Sequence, residues 1–235
     1  MASKKRIDVS TPKGLLDAFE REEAGMRSVR SVTYDVSKKH SCDAELRHIL
    51  NHVRAQIENI RRERPDEATE WRAVQCYVES LQHETAMWIA ISKNNASLAW
   101  SYFCEAEREA LQAVRHLPNY GPADRQLIHI REVERVVFPP QRLFLSSSLI
   151  VAPEDVTCSV CGTVYGECDH LAGDIYGGVL AMKVTNGLDA VREVSFVENP
   201  SSKHCRILEV AGADPLTGVP PKRVTRAARR QRKKR

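Results

Sequence analysis

The run WRAVQCYVESLQHETAMW (71–88) decides the fold. Trp71, Val74, Val78, Leu81, Thr85 and Trp88 recur at alternating steps of three and four, the spacing of one face of an α-helix. Asp66 stands ahead of the run as its expected cap. Upstream, Leu46, Ile49, Leu50, Val53, Ile57 and Ile60 form a second stripe that stops before Pro65. Ser41 is the expected N-cap there, with Asp43 and Glu45 in the first turn. Downstream, Asn94 or Asn95 opens a third helix whose stripe is Ala99, Phe103, Ala106, Ala110, Ala113 and Leu117, closed by Pro118 and Gly121. Short connectors make neighbouring helices antiparallel, so residues 41–121 are expected to form a helical bundle. Trp71, Trp88 and Trp100, with Tyr77 and Tyr102, are expected in its core or at an interface. The apolar seam offers a surface for self-association or a protein partner.

The flanks read differently. Residues 1–40 predict a basic arm carrying a short helix over 13–23, with Leu15, Leu16 and Phe19 on one face, and a strand over SVRSVTYDV (28–36). After Pro122 the pattern loses its helical period. Residues 128–138 read as a helix passing into a strand, and Pro139-Pro140 breaks the chain. Short β-type runs follow at 143–151, 178–185, 190–198 and 205–210. The expected class is α+β: an antiparallel helical bundle, then a small β domain over 122–215, then a disordered basic tail over 216–235.

Charge sharpens that division. The 235 residues carry 35 basic and 31 acidic side chains, a net +4. Residues 222–235, KRVTRAARRQRKKR, hold nine of the basic ones and no acid, which leaves the rest at −5. Arg226, Arg229, Arg230, Arg232, Lys233, Lys234 and Arg235 have no apolar company with which to fold. Such a tail suits sequence-independent contact with nucleic acid or another polyanion, each neutralised phosphate releasing counterions. No aromatic is interleaved, so base stacking is not expected. An acidic protein surface is the competing partner. No apolar run reaches the roughly 20 residues of a spanning helix. MASKKRIDVS has no apolar core of a secretory signal, and seven cysteines, an odd number, fit a reducing compartment. A cytoplasmic protein with no membrane contact is expected.

The chemical signal is TCSVCGTVYGECDHLAG (157–173). Cys158 and Cys161 form a C-x-x-C pair, and Cys168 and His170 follow as C-x-H. Thiolate and imidazole in a set of four are the tetrahedral donors that zinc prefers. Gly162 and Gly166 permit the tight turns of a knuckle. A redox C-x-x-C competes, but the added Cys168 and His170 favour one structural Zn2+ per chain. The His204-Cys205 pair offers a substitute ligand. Glu45-x-x-His48 lacks the second copy that a di-iron bundle needs. His48 and His52 are expected in solvent. No phosphate-binding glycine loop or complete catalytic triad is present.

Three stretches together, CSVCG (158–162), CDHLAGDIYGG (168–178) and REVSFVENP (192–200), with RIL (206–208) after them, resemble the cysteine-knuckle region of tailed-phage prohead-protease-like proteins. The likeness covers about residues 143–210. It implies a phage or prophage origin and, by position on LFLSSSLIV (143–151), a serine nucleophile at Ser146. Ser148 and Leu149 stand where that family has glycine and an aromatic. The available bases are His129, seventeen residues upstream, and His116 at a helix end. A serine without a placed base is a poor nucleophile. The expected function is therefore non-enzymatic: a zinc-knuckle structural or interaction protein with a basic arm. A divergent prohead-type serine protease is the alternative.

Overall fold

A computed structural model describes residues 10–30, 36–138, 144–198, 200 and 202–206. The chain is α+β, helices first and short strands after. Five helices come in order: α1 (Pro12–Arg30), α2 (Val36–Ile60), α3 (Pro65–Ser92), α4 (Ala96–His116) and α5 (Gly121–Val137). The basic residues of 222–235, and residues 1–9 and 31–35 of the N-terminal arm, lie outside the described residues.

Helix α3 is the axis of the bundle. All six seam residues from Trp71 to Trp88 are buried. Its other faces are buried as well, because α1, α2, α4 and α5 all pack against it. One core cluster joins Leu15 and Phe19 of α1 to Leu46, Leu50, Val53 and Ile57 of α2 and to Trp71, Val74, Tyr77 and Leu81 of α3. Tyr77 sits edge-on to both Phe19 and Tyr120, with centroids 5.7 and 5.3 Å away. A second cluster gathers Met87, Trp100, Phe103, Leu127, Ile130, Phe138 and Phe144. Trp100 stacks on Phe103 at 4.9 Å and meets Phe138 edge-on at 4.9 Å. The seam is thus covered within the chain.

Several ends differ from the sequence expectation. Helix α2 begins at Val36, so Ser41 lies inside it. The extra turn is held by Lys39, which is buried and stands over the Trp88 ring at 5.1 Å. Asp66 is not the cap of α3. Arg64 is, and Pro65 begins the first turn, where its fixed φ and missing N–H suit a helix start. Asn95 does cap α4, its side chain accepting from the Leu98 N–H at 3.1 Å. The strand expected over 28–36 is helix at residues 28–30 and again at Val36, while 31–35 lie outside the described residues. The helical part runs on to Val137, and 128–138 holds no strand. Leu127, Ile130 and Val133 face the second cluster, and Gly121-Pro122 starts a helix instead of ending one.

The C-terminal part contains three separate antiparallel pairs. β1 (Phe144–Ile150) pairs with β6 (Ala190–Val197), β2 (Val156–Cys158) with β5 (Lys183–Thr185), and β3 (Ile175–Tyr176) with β4 (Val179–Leu180). The β3–β4 hairpin turns on Gly177 and Gly178, both at positive φ (53° and 79°), as a two-residue hairpin of primed type requires. Phe144 and its register partner Val197 pin the β1–β6 ribbon to the second core cluster. Residues 203–205 form a short 3-10 turn on α4, where Trp100 Nε1 donates to the Lys203 carbonyl at 2.8 Å. No helix among the described residues is long and apolar enough to cross a membrane.

Candidate metal centre

The C-x-x-C turn leaves β2 and returns on itself. The Gly162 N–H donates to the Cys158 carbonyl at 2.8 Å, and the Cys158 N–H to the Thr163 carbonyl at 2.8 Å. Gly162 stands at φ +76°, which an L side chain would strain. Ser159 locks this turn to the following strands. Its hydroxyl donates to the Leu180 carbonyl and accepts from the Met182 N–H, at 3.0 and 2.8 Å. The second ligand pair sits on the loop after Gly166 (φ +105°). The Leu171 N–H donates to the Tyr176 hydroxyl and the Ala172 N–H to the Tyr165 hydroxyl, both at 3.0 Å. Tyr176 also packs edge-on against the His170 ring, with centroids 4.6 Å apart.

These turns bring one atom each from Cys158, Cys161, Cys168 and His170 within 4.8 Å of one another. Four donors on a tetrahedron of about 2.3 Å radius stand roughly 3.8 Å apart, so a small contraction closes the shell. Cys158 is buried, Cys161 is exposed, and Cys168 and His170 lie between. The donor set itself fits a metal ion. His170 Nδ1 is buried without a hydrogen-bond partner among the described residues, as a nitrogen intended for coordination would be. The Cys158 sulfur accepts from the Val160 N–H at 3.4 Å. Hydrogen bonds from Thr163, side chain first and backbone second, pull the Cys161 thiol down to about 6. That favours the thiolate, the form that binds metal. All four residues named from the sequence are brought together, and they could hold a metal ion. His204 and Cys205 are elsewhere: His204 faces Glu105 on α4 at 3.2 Å, and Cys205 is exposed.

The knuckle rests on the helices through contacts that sequence spacing does not reveal. His116 Nε2 lies 2.8 Å from the Gly173 carbonyl, and Arg115 forms an ion pair with Asp174. A Cβ at Gly173 would come within 2.8 Å of the Arg115 guanidinium. One at Gly178 would come within 2.8 Å of Ile57 Cγ2 and 3.3 Å of the Ala68 carbonyl oxygen. Glycine at these two points lets loop and bundle touch. The Gly-Gly hairpin was a readable signal for the second of them.

The candidate serine site is placed as follows. Ser146 sits on β1 opposite Ser195 of β6. His129 lies on α5 with Nε2 3.0 Å from Glu84 Oε1, and His116 is engaged with Gly173. His48 is exposed, whereas His52 is half-buried edge-on to Trp71 at 6.3 Å. The basic tail residues Arg226 to Arg235 lie outside the described residues. No family model matches the chain, and comparison with curated proteins and with solved structures found no match.

Proposed function

We propose that this protein is a zinc-stapled structural or interaction protein, and that its basic tail contacts nucleic acid or another polyanion. The observation that carries the reading is the four-donor cluster of Cys158, Cys161, Cys168 and His170, closed within 4.8 Å. Three sulfurs and one nitrogen in that arrangement favour Zn2+ over harder cations. Four protein donors fill a tetrahedron and leave no position for water or substrate, so the ion's role is to hold the fold. The cluster sits where three short strand pairs, each too small to be stable alone, need an added cross-link. The tail's part rests on its nine basic residues without an acid. The likeness of 143–210 to a prohead-protease-like knuckle supports a phage or prophage source.

Metal analysis of the purified full chain tests the first half. About one zinc per chain is expected, lost in Cys161→Ser. A folded chain that contains no metal and takes none up would overturn it. For the second half, replacing Arg229, Arg230, Arg232, Lys233 and Lys234 by Gln should abolish salt-sensitive retention on duplex DNA and on RNA while leaving zinc in place. Unchanged retention would move the contact surface to the body of the protein.

A further inference from the structure

A cleft of about 820 Å3 separates the α2–α3–α4 face of the bundle from the knuckle segment 172–183. Its volume falls in the range of small-molecule sites. Four guanidiniums line it, those of Arg54, Arg61, Arg72 and Arg108. Arg54 and Arg72 converge on one carboxylate. Glu79 Oε1 already accepts from Arg54 at 2.8 Å and from Gln75 at 2.7 Å, which leaves Oε2 for Arg72 at 3.4 Å. Arg72 is only 17 % exposed, and that long contact is its one hydrogen bond among the described residues. A guanidinium has five N–H donors, so most of this one's face the cleft's solvent and are free to meet a ligand. Across the same cleft, Gln112 Oε1 and Glu109 Oε2 are buried acceptors with no donor among the described residues. The bundle face thus offers open donors and open acceptors side by side.

We propose that this cleft is a binding site for a small oxyanion, a phosphoryl or carboxylate group carried next to a hydrogen-bond donor. The anion completes Arg72, with Arg54 beside it, through charge-assisted bonds. The ligand's own O–H or N–H satisfies Gln112 or Glu109. Glycines 173 and 178 let the knuckle form the opposite wall, so the site exists only when bundle and knuckle are docked. The site is independent of the tail and does not require the metal to be zinc.

Calorimetric titration of the full, metal-loaded chain with inorganic phosphate and, separately, with acetate tests this. Monohydrogen phosphate carries both the oxyanion and an O–H. Saturable binding at one site is expected with at least one of the two, and the stronger anion tells phosphoryl from carboxylate. Arg72→Gln should weaken it about tenfold or more. Arg54→Ala, at a side chain about half exposed, should weaken it severalfold and serves if Arg72→Gln does not fold. Replacing Arg229, Arg230 and Arg232 in the tail by Gln should leave the affinity unchanged. No saturable binding of either anion overturns the proposal. So does an affinity that survives both cleft substitutions, or one that is lost with the tail charges.

Discussion

Replacing Gly178 by alanine should separate the two parts of this molecule. Two costs add at that position. The residue stands at φ +79°, where a Cβ costs about 1–2 kcal/mol. The added methyl would also meet Ile57 Cγ2 at 2.8 Å, and Ala68 Cβ and carbonyl oxygen at 3.3 Å. The Ala68 carbonyl belongs to α3, the best-buried helix, and cannot move aside without disturbing it. Overpacking of this kind costs about 1–3 kcal/mol. A total of about 3 kcal/mol lowers Tm by roughly 6–12 °C in a chain of this size. Gly162 is the control, since its φ of +76° is nearly the same but nothing lies within 4 Å of its Cβ position. Gly162→Ala in the metal-loaded protein should therefore show the conformational cost alone. A double-mutant cycle isolates the collision: Ile57→Ala removes the struck methyl, so Gly178→Ala should cost less in that background. The measurement is urea or thermal unfolding followed by far-UV and near-UV circular dichroism. If Gly178→Ala were no worse than Gly162→Ala, the close docking of hairpin on bundle would be refuted.

Other expectations follow from single sites. Asn95→Ala removes the α4 cap and should cost about 1 kcal/mol in chemical denaturation, whereas Asn94→Ala, whose neighbour does the capping, tests only its positive φ of 54°. Glu84 is 1 % exposed and accepts from Gln126, His129 and Trp88, so Glu84→Leu should cost about 3 kcal/mol, against less than about 0.5 for exposed Glu132→Ala; equal losses would mean that the network is not formed. His83 is half-buried, and its loss of water holds its pKa below the usual 6.5 despite the carboxylates of Glu105, Glu79 and Glu109 nearby. The unfolded chain then binds a proton before the folded one does, so stability should fall as pH drops below about 6.5. His83→Phe should flatten the stability profile below about pH 6.5. Glu79 acts lower on the scale. Burial alone would raise its pKa, but Arg54, Arg72 and Gln75 together hold it below 4.5, so its contribution is present above that range and lost as pH falls through it.

The contrast between what sequence shows and what it hides follows the range of the contacts involved. Local, repeating interactions were legible. The Trp71–Trp88 seam, the α4 alanine stripe and the Asn95 cap each depend on residues within one or two helical turns, and each is where spacing puts it. The metal cluster was legible for a related reason: its four donors fall within thirteen residues, and knuckle turns follow from local glycines. What stayed hidden is long-range. Helix α5 looked like a helix turning into strand because its apolar face is short, and only the second core cluster gives Ile130 and Val133 a place to bury.

The buried acids make the same point from the other direction. Glu79, Glu84, Glu107, Glu109 and Glu134 would be assigned to solvent by any periodicity argument, since acids are rarely fully buried unless paired. All five have a partner. Glu84 is held by Gln126 and His129, 42 and 45 positions away. Glu79 is held by Arg54, 25 positions back. Glu107 and Glu134 share the Lys203 ammonium at 2.6 and 3.0 Å, which ties the end of the described chain to α4 and α5. Glu109 holds Arg108 with one oxygen, and the other has no donor among the described residues. A helix surrounded on every side must place some polar residues inward, and their partners must come from other elements. Where those partners are complete, the result is a specified core. At Glu109 and Gln112, where one oxygen of each has no donor among the described residues, the incompleteness lies along one cleft. Two buried acceptors without donors on one cavity wall, beside several guanidiniums, are what is expected of a site shaped for something that is not part of the chain.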